Sequence, residues 1–413
     1  MQTAVLRSSV FGSALTLILL AGCSGDPIVP PDDITALPRE LSQTERAVIE
    51  ASNRFSFDLL KEVNKDEGGA NVFISPLSAS MALGMTLNGA EGTTFEEMRG
   101  ALGFEGLSRA EINEAYRDLI SLLRDLDPLI TLGIGNSIWY RVGFPVLEPF
   151  LETTREFFDA EVAGLDFNDR AAADVINAWV REATRDKIDK IVDSPIETDI
   201  VVFLINAIYF NGTWTYDFDP EETHEADFYR DDGTTVPIQL MAQKAELPYA
   251  ATDEYVAVDL PYGGGAFAMT VIVPTAGTNI DSLIESLDDE RWEGLVAGLA
   301  KTKVEVYLPR FKLEYEKTLN DVLSALGMGI AFTPAADFSR MTAGGGVWID
   351  EVKQKSFVEV DEEGAEAAAA TVIVIVVSAG PALRADRPFL FAIRERFSGT
   401  LLFVGKLADP PQS

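Results

Sequence analysis

The chain is poor in sulfur, in imidazole and in positive charge. One cysteine, Cys23, stands among 413 residues, so no intramolecular disulfide can form and a hydrophobic core must hold the fold in any redox compartment. One histidine, His224, is present; a zinc site built from several His or Cys ligands is excluded, and a Ser-His-Asp triad would have to run through this residue. The Gly-x-Ser-x-Gly elbow, the Gly-x-x-x-x-Gly-Lys loop and the His-Glu-x-x-His pair are all missing. We therefore expect no metal and no cofactor, and place His224, in "ETHEADF", at the surface or on a strand edge. Lys and Arg number 33 against 66 Asp and Glu, a formal net charge of -33. Nucleic acid is thereby excluded as a partner, because neutralising phosphates requires clustered cations. The acidity reads as a solvated surface that keeps the protein soluble.

What is present describes a globular chain: 47% hydrophobic and 24% charged residues, in a length that one α/β unit can reach. Residues 1–22 read as a targeting segment, with Arg7 at its start and an apolar stretch over 10–20 that is too short to span a bilayer. The stretch ends in Leu20-Ala21-Gly22-Cys23, which resembles the bacterial lipobox, where the chain is cut before a cysteine that then carries lipid. No Ala-x-Ala site competes with it. Residues 23–41 follow as a tether, with Pro27, Pro30, Pro31, Pro38, Asp32 and Asp33 favouring an extended, unpacked chain. Ser24 after the cysteine lacks the inner-membrane retention aspartate, which points to a lipid-anchored protein of the cell envelope, facing outside the cytoplasm.

From residue 42 onward helices and strands mix without a repeat, and one domain over 42–413 is the simplest reading. A capping box, Ser42-x-x-Glu45, opens a helix whose Val48, Ala51, Phe55, Leu59 and Val63 share one face. A second, Ser108-x-x-Glu111, opens a helix running to about residue 126 and carrying Ile112, Tyr116, Leu119 and Leu123. Strands are expected over 129–140, 201–210, 255–260, 267–273, 304–308, 389–393 and 401–404. The run over 200–210 is apolar enough to be covered on both faces. The fold class is α+β with large sheets.

The segment over 359–388, "EVDEEGAEAAAATVIVIVVSAGPALRADRP", behaves differently. An acidic strand end meets Gly364, then a small-residue tract, then a β-branched run over 372–377, then Ser378-Ala379-Gly380-Pro381, which breaks any regular element. Two readings stay open. One is a helix over 362–370 leading into a buried strand. The other is a segment that enters an existing sheet as an extra strand, small end first. Alternation would then turn Ala365, Ala367, Ala369, Thr371, Ile373 and Ile375 inward, and Glu366, Ala368, Ala370, Val372, Val374 and Val376 outward. An exposed Val/Ile run is an aggregation hazard, so a use for its strand propensity is expected.

Four blocks resemble the serpin family, in that family's order: "NVFISPLSASMALGMTLNGAEGTTFEEM" at 71–98, "LINAIYFNGTW" at 204–214, "KSFVEVDEEGAEAAAAT" at 355–371 and "DRPFLFAIRERFSGTLLFVGKLADP" at 386–410. The resemblance extends over about 45–410. It implies three β-sheets, about nine helices and an exposed reactive-centre loop at about 362–386. It also implies an inhibitor and not an enzyme. A target serine protease attacks the loop, an acyl-enzyme forms, and the freed loop inserts into the main sheet and distorts the protease before deacylation. By the same resemblance, Glu362, Gly364, Ala365, Glu366, Ala367, Ala368, Ala369, Ala370 and Thr371 form the hinge of an inhibitory member. Ser75, Ser78 and Asn206 match the polar shutter beneath the sheet, and Trp214 matches the breach where insertion begins. Gln354 stands where the family often has His; an amide donates and accepts but does not titrate.

Counting forward from Gly364 along the family's hinge length puts Ser378 before the scissile bond, whereas counting back from Pro388 and Phe389 puts Val377 there. We prefer Val377-Ser378 over Ser378-Ala379, because Val fills an elastase-type pocket better. Small aliphatic residues at the bond point to elastase-like or subtilisin-like targets. The expected partners are serine proteases, held covalently, and a membrane reached through lipid on Cys23; the protein itself is expected to be a monomer. Two other classes remain open here: a binding protein on this fold whose loop never inserts, and a hydrolase using Ser378 and His224.

Overall fold

The computed structural model describes residues 33–364 and 380–411, and Asp33–Ser413 cluster as one compact unit. Nine α-helices are present among the described residues: α1 Gln43–Glu67, α2 Pro76–Leu87, α3 Gly92–Ala101, α4 Arg109–Arg124, α5 Glu148–Phe158, α6 Ala171–Ala183, α7 Ile280–Glu285, α8 Asp289–Gly298 and α9 Asn320–Leu323. Both capping boxes form. Ser42 and Ser108 accept from the backbone of Glu45 and Glu111, whose carboxylates reach back to the cap N–H groups. Each such cap contributes about 1 kcal/mol. The Glu45 carboxyl is buried, which raises its pKa; bonds from Arg39 and Ser42 outweigh that and hold it below its ordinary value.

The strands are β1 Val72–Ile74, β2 Ile130–Arg141, β3 Ala160–Leu165, β4 Val202–Gly212, β5 His224–Tyr229, β6 Thr235–Ala251, β7 Tyr255–Tyr262, β8 Phe267–Pro274, β9 Ala300–Pro309, β10 Phe311–Thr318, β11 Lys353–Val360, β12 Ala382–Arg384, β13 Phe389–Glu395 and β14 Leu401–Leu407. They form three hydrogen-bonded sheets among the described residues. Nine strands join in the order β1-β14-β13-β8-β7-β6-β9-β12, with β5 also on β6. The long β6 makes this possible by pairing with β5, β9 and β7 along successive stretches. The other two sheets are β3-β2-β4 and β10-β11. The three sheets and nine helices implied by the resemblance are thus present.

Alternation along β4 explains the uniformly apolar run. Val202, Leu204, Ile208 and Phe210 join the main core, whereas Phe203 and Ile205 join a smaller cluster with Trp139 of β2 and Ile176 and Val180 of α6. One face therefore meets the domain interior and the other is roofed by α6.

One expectation changes, and one of the two open readings is answered in part. The tether was expected to stay unpacked to residue 41, but packing begins at Ile34. Its N–H donates to Gly264 O at 2.8 Å, Ile34 and Leu37 rest on the core, and Leu41 is buried. The cause is local: Pro38 keeps this stretch out of regular structure, but its three aliphatic side chains, Ile34, Leu37 and Leu41, have apolar surface beside them to cover. The open reading is the helix over 362–370, of which only residues 362–364 are described. Residues 361–364 form a tight turn, with Asp361 bridged to Gly364; residues 365–370 lie outside the described residues.

Candidate functional site

β4 and β11 are margins of two neighbouring sheets, and no ladder of described residues joins them along their length. They meet at one end only. Thr213, just past β4, bridges Gly364 in antiparallel sense; Trp214 N–H donates to Glu363 O at 3.0 Å and Phe218 N–H to Glu362 O at 2.9 Å. At Gly364 the chain leaving β11 has therefore reversed direction. The turn that reverses it is tied by Glu363 N–H donating to Asp361 Oδ1 at 3.1 Å.

Gly364 is required there on two counts. Its φ is +110°, and a Cβ would sit 2.5 Å from Gly212 O, 2.7 Å from Trp214 N and 2.8 Å from Thr213 Cα. Backbone cannot yield to such contacts, and L residues rarely adopt that φ.

Trp214 closes the junction. Buried, it stacks on Tyr262 with ring centroids 4.3 Å apart and 13° between planes, meets Phe218 edge-on, and donates from Nε1 to Asp361 O at 3.0 Å. The turn after β7 supports it from below, with Gly263 N–H donating to Thr213 O and Thr215 N–H to Pro261 O. Glu362 is only 8% exposed; it accepts from Thr223 Oγ1 at 2.7 Å and lies 3.7 Å from Arg310. Burial pushes up the Asp361 carboxyl, against the Glu363 N–H bond that favours its charge. Burial, with the Asp361 charge second, also pushes the Tyr262 phenol well up.

Beneath the seam a polar chain links both margins. Gln354 of β11 binds the Ser75 backbone twice, accepting from its N–H at 3.1 Å and donating to its O at 2.7 Å. Ser75 caps α2 and donates from Oγ to Leu402 O of β14 at 2.8 Å. Ser78 reaches Asn206 O of β4 at 3.4 Å, and Asn206 Nδ2 donates to Asn136 Oδ1 of β2 at 2.6 Å. Asn206 Oδ1 is buried without a partner. Side-chain bonds across a seam hold it shut by a few kcal/mol at most and can be exchanged, unlike a full strand ladder.

The structure brings together Ser75, Ser78, Asn206 and Gln354 in one chain of contacts, and Trp214, Glu362 and Gly364 in one junction. Ala365, Glu366, Ala367, Ala368, Ala369, Ala370, Thr371, Val377, Ser378, Ala379 and Cys23 lie outside the described residues. His224 sits exposed on edge strand β5, its Nδ1 3.0 Å from Glu222 O, as a surface residue should. Sequence reasoning missed Asn136, Tyr262 and the Thr223 and Arg310 partners of Glu362. A polar Asn inside the apolar run over 130–141 was the available signal for Asn136; the others become visible only through pairing between distant strands.

Comparison with known proteins agrees with this geometry. The family model described as "Serpin (serine protease inhibitor)" matches residues 50–410. The chain is 35% identical to chicken (Gallus gallus) neuroserpin over 370 residues, covering 86% of this chain and 89% of that protein. It is 33% identical to an uncharacterised serpin-like protein of Thermococcus kodakarensis, over 98% of this chain and 99% of the other. Among solved structures, the thermophilic serpin Tengpin in its native state matches with a TM-score of 0.81 at 29% identity, over 92% of this chain and 97% of that one. Human thyroxine-binding globulin complexed with its hormone matches with a TM-score of 0.82 at 26% identity, over 89% and 100%. The family match over most of the chain places it in the serpin family, a family of serine protease inhibitors by description and not of enzymes.

Proposed function

We propose that this serpin is an inhibitory, lipid-anchored member that traps elastase-like or subtilisin-like serine proteases by cleavage of its own loop at Val377-Ser378, with Ser378-Ala379 as the neighbouring alternative. The antiparallel bridge between Gly364 and Thr213 is the observation that carries the reading. A strand entering the seam in that register would set Ala365, Ala367, Ala369, Thr371, Ile373 and Ile375 opposite Gly212, Phe210, Ile208, Asn206, Leu204 and Val202. Directly opposed residues share a face, and the flanking β4 side chains Val202, Leu204, Ile208 and Phe210 turn to the main core. The residues meeting the core first would be the alanines, which fit between close-packed strands with least displacement.

The chemistry follows. The protease serine adds to the carbonyl carbon of Val377, the bond to Ser378 nitrogen breaks, and the new amine leaves with a proton from the protease's own acid. The ester left on Val377 ties the protease to a loop that is now free to enter the seam. Insertion then competes with water for the ester.

Anchoring uses other residues. Cleavage after residue 22 and lipid on Cys23 would hold a monomer at the cell envelope, outside the cytoplasm, with each buried methylene of the acyl chains contributing roughly 0.8 kcal/mol.

Thermal unfolding before and after limited proteolysis within 372–379 tests insertion itself. The nicked protein should resist heat far better than the intact one, because a strand has been added to the sheet. An unchanged or lowered midpoint would remove the basis of the proposal.

A further inference from the structure

The turn that follows α6 touches both margins of the seam. α6 lies close on β2: a Cβ on Gly135 would be 3.2 Å from Ala183 Cβ and from Trp179 Cζ2. Residues 184–188 then leave the helix in a bonded turn, with Asp186 N–H donating to Arg181 O and Ile188 N–H to Thr184 Oγ1. From that turn the Arg185 guanidinium lies over the Tyr209 ring of β4, 5.7 Å from its centroid. Two residues on, Lys187 Nζ lies 3.5 Å from Glu359 Oε2 and 5.0 Å from the Phe357 ring centroid, both on β11. Tyr209, Phe357 and Glu359 belong to the outer-facing sets of their strands, so both grips are made over the seam and not under it.

The backbone between the grips is strained. Arg185 and Asp186 hold φ values of 48° and 60° in succession, without glycine at either position. Such residues persist where their surroundings hold them, and the two grips and the turn bonds are those surroundings.

We propose that residues 184–188 form a two-sided latch across the seam, in which Arg185 and Lys187 are positioning residues that set how readily β4 and β11 part. Admitting one strand moves the margins apart by about 4.8 Å. That exceeds what a side-chain ion pair or a cation-ring contact can stretch, so at least one grip must open first. The proposal rests on reading the seam as the place where the loop inserts; the latch regulates that step.

Hydrogen exchange on the full chain tests it without any protease. In Lys187→Met, amides of β4 and β11 should exchange about two- to fivefold faster, the range expected for losing one partly exposed ion pair. Glu359→Gln should do the same, Lys187→Arg should restore wild-type exchange, and the amides of β13 and β14 should not respond. Unchanged exchange at β4 and β11 in both variants would overturn the latch, and so would an equal rise across the whole domain, which signals general destabilisation. If the wild-type protein forms no covalent complex with any protease, the inhibitory reading fails, while the exchange pattern still decides the latch.

Discussion

Replacing Gly364 by alanine probes the junction on which the proposed insertion depends. The added methyl group meets three backbone atoms of residues 212–214 at 2.5–2.8 Å, and the residue must keep a φ of +110°. Holding the wild-type geometry would cost about 1–3 kcal/mol for the backbone conformation and about 1–3 kcal/mol for the overlap. The alternative is to let the turn lift away. That sacrifices the bonds from Trp214 N–H to Glu363 O and from Phe218 N–H to Glu362 O, about 1 kcal/mol each, and loosens the Trp214 Nε1 bond to Asp361 O. The cheaper route sets the cost, about 2–4 kcal/mol. With about 2.1 cal/mol/K per residue of unfolding entropy, a chain of 413 residues converts that to a fall of about 2–5 °C in Tm, read at matched scan rate because unfolding here need not be reversible. Faster hydrogen exchange should be confined to residues 213–218 and 361–364, and more of the variant should be consumed as substrate per protease inactivated. An alanine variant with wild-type Tm, exchange and stoichiometry would refute the account of this glycine.

Three further outcomes are expected. Ala367→Arg should turn inhibitor into substrate, because insertion would bury an unpaired charge at a cost of several kcal/mol; gel analysis of complex against cleaved chain reads this directly. Asp361 is held above the usual 3.8 by burial, so its contribution favours the native state in acid and is lost as pH rises through that raised value. Asp361→Asn, whose side-chain oxygen still accepts from Glu363, should therefore gain thermal stability relative to wild type between pH 4 and pH 7, as scanned in parallel, and an advantage that shrinks with rising pH would contradict the sign. Cys23→Ala should leave membranes and appear in the soluble fraction with full inhibitory activity, since the proposed lipid site and the proposed reactive loop occupy different parts of the chain.

How much of this was legible in the sequence depended on the range of the interactions involved. Both capped helices were legible because Ser42 with Glu45 and Ser108 with Glu111 carry their signal within one turn. Strand runs such as β2, β4 and β8 were legible from apolar, β-branched composition. Their assembly was not: nothing near residues 235–251 announces that β6 serves β5, β9 and β7 in turn. The candidate site divides the same way. Gly364, Trp214, Ser75, Ser78, Asn206 and Gln354 were reached through motif resemblance, which supplied positions without reasons. The reasons came from contacts across 128–279 residues of chain, such as Ser78 to Asn206 and Gln354 to Ser75. Packing of residues 34–41 was missed because a proline-rich composition over 27–38 reads the same whether Ile34, Leu37 and Leu41 stay in solvent or find apolar surface to cover.

Mass spectrometry after brief incubation with an elastase-like and a subtilisin-like protease tests the central claim most directly. A boiled, denatured sample should contain protease joined to the chain through an ester at Val377, together with a released peptide that begins at Ser378, or at Ala379 if the neighbouring bond is used. A chain cut at that bond while the protease remains free and active, or a peptide beginning after Arg384 with trypsin as the trapped enzyme, would contradict it.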